Sequence, residues 1–399
     1  MPLPMQMALP GDVFMPDYGG GSIVNLMASI ATALGVADPD SVPLRSRELS
    51  ALLFQRARVI LLVVDGLGYH RLTTTPACSA LRAYLRGSLT SVFPSTTATA
   101  ITTFLTGLPP SQHALTGWHM WFAEQAMVGA ILPYRTGVGD RPLTALGIEP
   151  EHLFDHRSFF ERLPVRSYAV APERILASVY NRAHCKGAQL HGYATLEQLF
   201  ECTLNCLRCT DDRCYIYAYY ADYDSIAHEH GVDSRHALRL LQRLDEAFGA
   251  FLTSAAGLDA TVIVTADHGF IDSPQARIVE LDAHPGLQRL LRAPLCGERR
   301  AAYCYLHPGA ADAFEQYISS TLSKQTRAYP SKTLIEAGWF GPAPRHAALA
   351  ARVGDYTLVM KDNWTIKDWL PGEQRYKQVG VHGGVTEAEM IVPLMVAQV

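Results

Sequence analysis

Residues 59–65, VILLVVD, place six consecutive apolar residues directly before an aspartate. Two later stretches repeat the pattern, since Tyr215–Tyr220 precedes Asp222 and Val262–Thr265 precedes Asp267. Short apolar runs separated by helical segments are typical of strands buried on both faces of a mostly parallel sheet. Polar side chains at the carboxyl ends of such strands converge on one crevice. The three stretches therefore predict an α/β fold with a ligand site at that edge of the sheet.

The segment from Thr97 to Gly107, TATAITTFLTG, predicts a helix despite its β-branched threonines. Gly107 is suited to the C-cap, and Pro109 and Pro110 prevent the helix from continuing. Thr97 is then expected at or near the helix N-terminus.

Residues from about 270 to 380 separate two candidate ligand motifs and contain several glycine–proline breaks, such as Pro308–Gly309. We expect this stretch to form a smaller inserted α+β cap subdomain. The chain as a whole, residues 1–399, is predicted to form a single catalytic domain that contains this inserted subdomain.

Charge and hydropathy exclude several classes of protein. Lysine and arginine total 34 against 38 acidic residues, so the chain has no basic footprint for a nucleic-acid polymer or an anionic membrane. No apolar run approaches the roughly 20 residues of a membrane-spanning helix. The N-terminal MPLPMQMALPGD lacks the basic region and apolar stretch of a secretory signal, which predicts a cytoplasmic protein.

The residue types of a two-metal site recur along the chain. They are Asp65, Thr97, Asp224, His228, Asp267, His268 and His382. Imidazole and carboxylate together favour zinc-type divalent ions over magnesium or calcium. Each residue alone has a plainer explanation, because Asp65 could begin a helix and Asp224 and His228 could form a surface pair. Their joint occurrence, with three motifs at strand ends, favours the metal interpretation.

The order of these motifs resembles the type I phosphodiesterase/nucleotide pyrophosphatase family of the alkaline phosphatase superfamily. The matching elements are VVDG, FPSTTATA ahead of Thr-Gly-Leu, DYDSIAHEHG, TADHG and GVHGG. The match runs from about residue 59 to the closing VHGGVTEAEMIVPLMV and is loose over 270–380. It implies an alkaline-phosphatase-like central sheet flanked by helices and a metal-dependent hydrolase of phosphoric esters.

The resemblance implies two divalent metal ions, with zinc expected and manganese or another divalent ion as the alternative. By position, one ion is expected to bind Asp224, His228 and His382, and the other Asp65, Asp267, His268 and the Thr97 oxygen. Metal coordination makes a threonine hydroxyl a competent nucleophile, which implies a phospho-threonine intermediate. The expected partner is a small phosphodiester or nucleotide-like substrate, and the oligomeric state is left open.

Two of these positions have a competitor. Asp222 could replace Asp224 as a ligand, but the family pattern places the aspartate four residues before its histidine, as in Asp224 and His228. Thr96 is the alternative to Thr97 as nucleophile. The family spacing, counted from the preceding proline and from the following Thr-Gly, favours Thr97.

One departure concerns the substrate. Nucleotide-cleaving relatives have an asparagine three residues after the nucleophile, where this chain has Ala100. The missing phosphate donor could come from the stretch 117–122, GWHMWF. In that stretch Trp118 and His119 are candidate substrate-binding residues, while core packing is the plainer explanation for Trp121 and Phe122.

Other functions remain as alternatives. A phosphomonoesterase or a phosphotransferase of the same superfamily would use the same ligands. A catalytically silent metal-binding scaffold would be expected to have lost one of them, and no gap is seen. Cys202, Cys206, Cys209 and Cys214 match no familiar metal pattern and are expected to be packing residues. Arg299 and Arg300 could reach a substrate phosphate or could be exposed loop charges.

Overall fold

The computed structural model describes residues 10–36, 38–209 and 212–399. Within these ranges, no helix combines the length and the apolar character needed to span a bilayer. The N-terminal segment that carries the localisation prediction lies mostly outside the described residues, because residues 1–9 are not among them.

The strands and helices of the described ranges follow in chain order. The strands are β1 Arg58–Val64, β2 Leu85–Thr90, β3 His119–Phe122, β4 Met127–Ala130, β5 Arg135–Thr136, β6 Arg166–Pro172, β7 Gln189–Tyr193, β8 Cys214–Tyr220, β9 Ala260–Thr265, β10 Ile271–Asp272, β11 Ile278–Glu280, β12 Cys296–Gly297, β13 Ala301–Cys304, β14 Thr326–Pro330, β15 Tyr356–Met360, β16 Thr365–Lys367, β17 Gly380–Val381 and β18 Ile391–Gln398. The α-helices are α1 Ile23–Ala33, α2 Arg47–Phe54, α3 Tyr69–Thr74, α4 Ser79–Ala83, α5 Thr97–Thr106, α6 Pro110–His113, α7 Pro150–Leu153, α8 Phe159–Arg162, α9 Glu173–Leu176, α10 Val179–His184, α11 Leu196–Arg208, α12 Asp222–His230, α13 Arg235–Ser254, α14 Pro285–Gln288, α15 Ala311–Tyr317, α16 Ser331–Glu336, α17 Leu349–Arg352 and α18 Glu387–Met390.

A seven-stranded central sheet has the strand order β2-β18-β9-β1-β8-β6-β7. Strands β9, β1, β8, β6 and β7 are parallel neighbours, whereas β18 runs antiparallel to β9 and β2. Every residue of β1, β8 and β9 is buried, as expected for strands covered on both faces. The predicted mostly parallel α/β sheet is confirmed.

Register explains why the ends of these strands coincide. Val64 at the end of β1 lies beside Tyr220 at the end of β8. On the other side of β1, Val63 lies beside Thr265 at the end of β9. Because all three strands are parallel, the residues that follow them emerge at one edge of the sheet.

A second seven-stranded sheet is antiparallel, with the order β14-β15-β13-β12-β3-β4-β5. Four of its strands come from the stretch 270–380, and three come from residues 119–136. The two groups join where Gly297 pairs with His119. The segment GWHMWF is therefore part of this sheet, and the division of the chain into a catalytic domain and a cap remains a prediction.

Helix α5 carries the candidate nucleophile and is buried along its whole length. Thr96 is its N-cap residue, so the helix begins at Thr97. It ends at Thr106 because Gly107 adopts the left-handed conformation, with φ of 70°. Helix α5 does not continue through Pro109 and Pro110, as predicted, and Pro109 precedes the short helix α6.

Candidate metal centre and active-site cleft

Seven side chains that are far apart in the sequence meet at the carboxyl edge of the central sheet. They are Asp65 after β1, Thr97 at the start of α5, Asp224 and His228 on α12, Asp267 and His268 after β9, and His382 after β17. All seven residues singled out from the sequence therefore lie in one cluster.

The first half of the cluster surrounds His268. Its Nε2 atom lies 3.3 Å from Asp65 Oδ1 and 3.4 Å from Asp267 Oδ2. The Thr97 hydroxyl lies 3.1 Å from the same Nε2. Asp65, Asp267 and His268 form a group whose ligand atoms are close enough to share one ion.

The second half surrounds Asp224. The Oδ1 atom of Asp224 lies 3.3 Å from His228 Nε2 and 3.6 Å from His382 Nε2. The two imidazole Nε2 atoms are 3.1 Å apart. A second group close enough to share an ion consists of Asp224, His382 and His268, so His268 belongs to both groups. The His268 and His382 rings stack with centroids 3.7 Å apart.

Three carboxylate oxygens in this cluster are buried without a hydrogen-bond partner in the described part of the chain. They are Asp65 Oδ1, Asp224 Oδ1 and Asp267 Oδ2, the same atoms that face the imidazoles. Buried polar atoms are normally hydrogen-bonded, and a bound cation is one recognised reason for an exception. The donor set therefore fits two divalent cations.

The other ring nitrogens of the histidines are held by the backbone. His268 Nδ1 donates to the Gly269 carbonyl at 3.0 Å, and His228 Nδ1 donates to the Gly380 carbonyl at 2.8 Å. His382 Nδ1 lies 3.3 Å from the carbonyl of Ser95. A hydrogen bond of this kind fixes the tautomer and leaves Nε2 with its lone pair facing the cluster, as in metal-binding histidines.

Electrostatics point the same way. Burial raises the pKa of Asp65 well above its ordinary range, and the nearby carboxylates of Asp224 and Asp267 raise it further. Burial likewise raises the pKa of Asp267. Burial lowers the pKa of His382, and the neighbouring imidazoles of His268 and His228 add to the effect. Because the buried carboxylates of Asp65 and Asp267 lie close together, a cation bound between them would relieve their repulsion, so the cluster favours binding of cations.

The carboxylate oxygens of Asp65 and Asp267 that do not face the imidazoles are held by hydrogen bonds. The second oxygen of Asp65 accepts a hydrogen bond from the Tyr219 hydroxyl. Asp267 Oδ1 accepts from the backbone N–H groups of Gly66 and His268, at 3.0 and 2.9 Å. These contacts fix the orientation of the unpartnered oxygens without using them.

The cluster opens into a cleft with a volume of about 270 Å³. Thr97, Asp224, His228 and His382 contribute to its lining. Trp118 and His119 line it as well, and their role in substrate binding stays a prediction. Burial lowers the pKa of His119 to about 4, so its imidazole is neutral at pH 7.

Glu298 is a cleft residue that was not singled out from the sequence. Its carboxylate accepts hydrogen bonds from Thr96 Oγ1 at 2.8 Å and from the Trp118 backbone N–H at 2.7 Å. Burial raises its pKa to about 7. The only available signal was its position directly before Arg299, because no motif of the family resemblance includes it.

The two arginines that follow Glu298 differ in environment. Arg299 lines the cleft. Arg300 is completely buried, and its guanidinium forms a two-point ion pair with Glu389, with both N–O distances 2.9 Å. Glu389 also accepts from the Gly384 backbone N–H, in the loop that carries His382. Arg300 is therefore a structural residue and does not reach the cleft.

Asp222, the competitor of Asp224, points elsewhere. Its carboxylate pairs with Arg174 at 3.4 Å, and both side chains are well exposed. The four clustered cysteines are free. Cys206 and Cys214 are buried, as expected for packing residues, and Cys202 is partly buried. Cys209 is exposed, so the expectation is wrong for this residue.

The structure is similar to several solved structures. Murine ectonucleotide pyrophosphatase/phosphodiesterase 5 matches with a TM-score of 0.63 and 16% identity, over 84% of this chain and 87% of that chain. An inactive form of that murine protein in complex with AMP matches with a TM-score of 0.63 and 17% identity, over 85% and 87% of the chains. Phosphonoacetate hydrolase from Sinorhizobium meliloti 1021, in complex with phosphonoformate, matches with a TM-score of 0.60 and 18% identity, over 86% and 90%. A search of curated proteins found no match.

The fold, together with the carboxylates and imidazoles clustered at the strand ends, defines an alkaline-phosphatase-like enzyme that acts on phosphoric esters. The sequence also matches the model of one family, described as type I phosphodiesterase/nucleotide pyrophosphatase, over residues 59–140 and 167–384. The chain belongs to the type I phosphodiesterase/nucleotide pyrophosphatase family and is a metal-dependent hydrolase.

Proposed function

We propose that this protein is a two-metal phosphodiesterase that cleaves small phosphodiester or nucleotide-like substrates through a phospho-threonine at Thr97. The observation that carries the proposal is the meeting of three unpartnered carboxylate oxygens and three imidazole Nε2 atoms beside the Thr97 hydroxyl. The complex of the murine relative with AMP supports a nucleotide-like substrate.

The ligand set supports two ions in the arrangement that the family resemblance implies. His228 and His382 would hold one ion with Asp224, and Asp65 and Asp267 would hold the other with His268 and Thr97. We favour zinc because the sites mix imidazole and carboxylate ligands. When bound, the two ions would supply the positive charge that lowers the pKa of the nucleophile and neutralises the phosphoryl group.

Thr97 is better placed than its competitor. The Thr97 hydroxyl faces His268, whereas the Thr96 hydroxyl donates to Glu298 and is engaged there. In our mechanism Thr97 Oγ1 attacks phosphorus, the P–O bond to the leaving alcohol breaks, and water later cleaves the phospho-threonine. Thr97 Oγ1 lies beside His268 Nε2, so the two atoms would be ligands of the same ion.

The start of helix α5 supplies donors for the phosphoryl oxygens. Within the described residues, the backbone N–H groups of Thr97 and Ala98 have no hydrogen-bond acceptor. N–H groups at a helix N-terminus bind phosphate oxygens, and the helix dipole adds to the attraction. They compensate in part for Ala100, which offers no side-chain donor where nucleotide-cleaving relatives have asparagine.

Glu298 favours a diester over a monoester. Its carboxylate reaches Thr96 and the Trp118 backbone beside the nucleophile, so it places an acidic group near the reacting phosphorus. A monoester carries close to two negative charges at neutral pH and a diester carries one. Repulsion by the ionised fraction of Glu298, about half at pH 7, therefore penalises the monoester more.

The test compares hydrolysis of bis-p-nitrophenyl phosphate and p-nitrophenyl phosphate, with zinc and with excess chelator. We expect metal-dependent turnover with a preference for the diester. Thr97→Ala should lower kcat by about 1,000-fold or more, whereas the neighbouring control Thr96→Ala should retain turnover. Acid quenching followed by peptide mapping should locate the phosphoryl group on Thr97.

Other outcomes would select the alternatives. Preference for the monoester would identify a phosphomonoesterase of the same superfamily. Phosphate on Thr96, or unchanged kcat in Thr97→Ala, would refute the assigned nucleophile. Zinc binding without turnover of either ester would indicate a metal-binding scaffold.

A further inference from the structure

The lining of the cleft includes two cationic residues, Arg299 and Lys367. Arg299 lies in the turn between β12 and β13, and Lys367 is the last residue of β16. The Arg299 carbonyl accepts a hydrogen bond from the Ile366 backbone N–H at 2.9 Å, which places the two cationic residues side by side. Thr97, Asp224, His228 and His382 line the same cleft, so a bound substrate would be close to both charges.

The two cations differ in how they are neutralised. Lys367 is nearly buried, and its ammonium pairs with Glu373 Oε1 at 2.7 Å. Arg299 has a buried Nη2 atom without a hydrogen-bond partner in the described part of the chain. Arg299 is partly buried as a residue, but a buried donor atom without an acceptor is costly, and a ligand oxygen is the natural candidate for that acceptor.

Aromatic rings hold the Arg299 guanidinium. It lies 5.4 Å from the ring centroid of Trp369 and 4.9 Å from that of Tyr376. Stacking of this kind fixes the plane of the guanidinium, and little conformational freedom is then lost when it binds an acceptor. A planar guanidinium with a free edge matches the geometry of a carboxylate or phosphate group.

The carboxylates nearest to these two residues do not supply that acceptor. Glu373 is engaged with Lys367, and Asp368 accepts from the Leu295 backbone N–H at 3.0 Å. Glu298 accepts from Thr96 and Trp118, on the side of the nucleophile. The pKa of His119 is lowered mainly by burial and further by the charges of Lys367 and Arg299, which agrees with a cationic wall.

We infer that Arg299, with Lys367 behind it, forms a binding site for a second oxyanion of the substrate, a carboxylate or a phosphate attached to the phosphodiester. This inference rests on the proposed function, because it assigns the chemistry of the substrate to the same cleft. The substrate is then a phosphodiester with an additional negative group, placed across the cleft from Thr97.

The test uses three p-nitrophenyl phosphodiesters whose second ester group is methyl, carboxymethyl or 2-phosphonoethyl. All three release the same chromophore, and the last two present a carboxylate or a stable phosphate analogue. We expect kcat/KM in the zinc-loaded protein to be about 10- to 100-fold higher for an anionic group than for methyl, the range for a hydrogen bond to a charged group. The better of the two anionic substrates identifies the oxyanion.

The variant Arg299→Gln should remove this preference, so that kcat/KM falls by about 10- to 100-fold more for the two anionic esters than for the methyl ester. Arg299→Lys should restore part of it, because the charge returns without the planar edge. Arg292→Gln is the matched control, since Arg292 also stacks on an aromatic ring, that of Tyr305, but does not line the cleft. A binding measurement with carboxymethyl phosphate in the Thr97→Ala background should show about a 10-fold weaker Kd for Arg299→Gln.

The failures are distinguishable. Metal-dependent turnover of all three esters without preference for an anionic group, or an equal loss for all three in Arg299→Gln, would overturn the oxyanion site and leave the phosphodiesterase proposal intact. Lack of metal-dependent turnover of any ester would overturn the proposed function. In that case an unchanged Kd for carboxymethyl phosphate in Arg299→Gln would overturn the oxyanion site as well.

Discussion

Asp222 and Asp224 lie on the same helix two residues apart, yet only Asp224 faces the imidazoles of His228 and His382. We expect Asp224→Asn to reduce bound zinc from about two equivalents to about one, because a charged ligand is lost. Activity on the diester should fall by roughly 100-fold or more. Metal content measured by elemental analysis and kcat/KM on bis-p-nitrophenyl phosphate provide the check.

The exposed neighbour supplies the control for that change. Asp222→Asn removes the same charge from the same helix but affects only the pair with Arg174. It should retain both metal equivalents and near-native activity. Equal metal loss in the two variants would contradict the assignment of Asp224.

Glu298 predicts a pH dependence of stability in the metal-free protein. Burial raises its pKa from 4.5 to about 7 in the folded state. Between these pH values the unfolded chain releases the proton that the folded protein retains, so wild-type stability falls as pH rises. Relative to wild type, Glu298→Gln should gain roughly 1 to 3 kcal/mol from pH 4.5 to pH 7 and nothing further above it. Urea unfolding at a series of pH values measures this difference, and a constant difference would contradict it.

At the scale of single elements, the end of helix α5 depends on Gly107. A Cβ atom at this position would lie 2.5 Å from Arg162 Nη2 and 3.1 Å from Phe159 Cδ2, in addition to the strain of a φ of +70°. We expect Gly107→Ala to destabilise the protein by about 2 to 4 kcal/mol. Gly139 has a φ of +78° with no atom within 4 Å of its Cβ position, so Gly139→Ala should cost only about 1 kcal/mol. Equal unfolding midpoints for the two variants would refute the steric argument.

The buried pair of Arg300 and Glu389 joins the second sheet to the loop that carries His382. Glu389→Gln leaves a buried guanidinium without its counter-charge and should cost about 3 to 5 kcal/mol. The double variant Arg300→Met/Glu389→Leu should recover much of this loss because no charge remains buried. Chemical unfolding measures both effects.

The exposed pair of Lys332 and Glu336 is the comparison for the buried one, with an N–O distance of 3.8 Å. Glu336→Gln should change stability by less than about 1 kcal/mol, as is usual at surfaces. A cost for Glu389→Gln no larger than this would show that the buried pair does not hold the loop.

Strands and helices whose own sequence carries a clear pattern were predictable, and those without such a pattern were not. The strands β1, β8 and β9 follow from uninterrupted apolar runs, and α5 follows from its terminal glycine and prolines. Strand β3 has no such signal, because it depends on the pairing of His119 with Gly297, far away in the sequence. Apolar patterning records burial, whereas the choice of a distant partner strand depends on tertiary packing.

The same distinction applies to the candidate site. Ligands such as Asp224 and His228 were found because their spacing is fixed by one helix and because they recur in a recognisable order. Glu298 and Lys367 were missed because only tertiary folding brings them to the cleft, next to residues that are far away in the sequence. Substrate-contacting residues on loops carry little sequence pattern of their own.

At the scale of the whole molecule, the proposed metal ligands extend from Asp65 to His382 and so would connect segments across most of the chain. Bound zinc should therefore stabilise the folded protein as a whole. We expect excess chelator to lower the melting temperature, with a stability loss of about 3 kcal/mol if free zinc had been 100 times its Kd. Thermal scans with and without chelator test this, and the variant Asp267→Asn should respond less. An identical Tm in both conditions would contradict the metal assignment.

The side chains proposed to break the bond lie at the carboxyl edge of the central sheet, whereas Glu298 and Arg299 lie on a short turn of the other sheet. In our proposal, substrate selectivity and catalysis are therefore carried by different parts of the fold. Randomising that turn offers a route to new substrates that leaves the catalytic ensemble in place. The same separation would allow natural selection to change the substrate selectivity of such enzymes through this turn without changing the catalytic side chains.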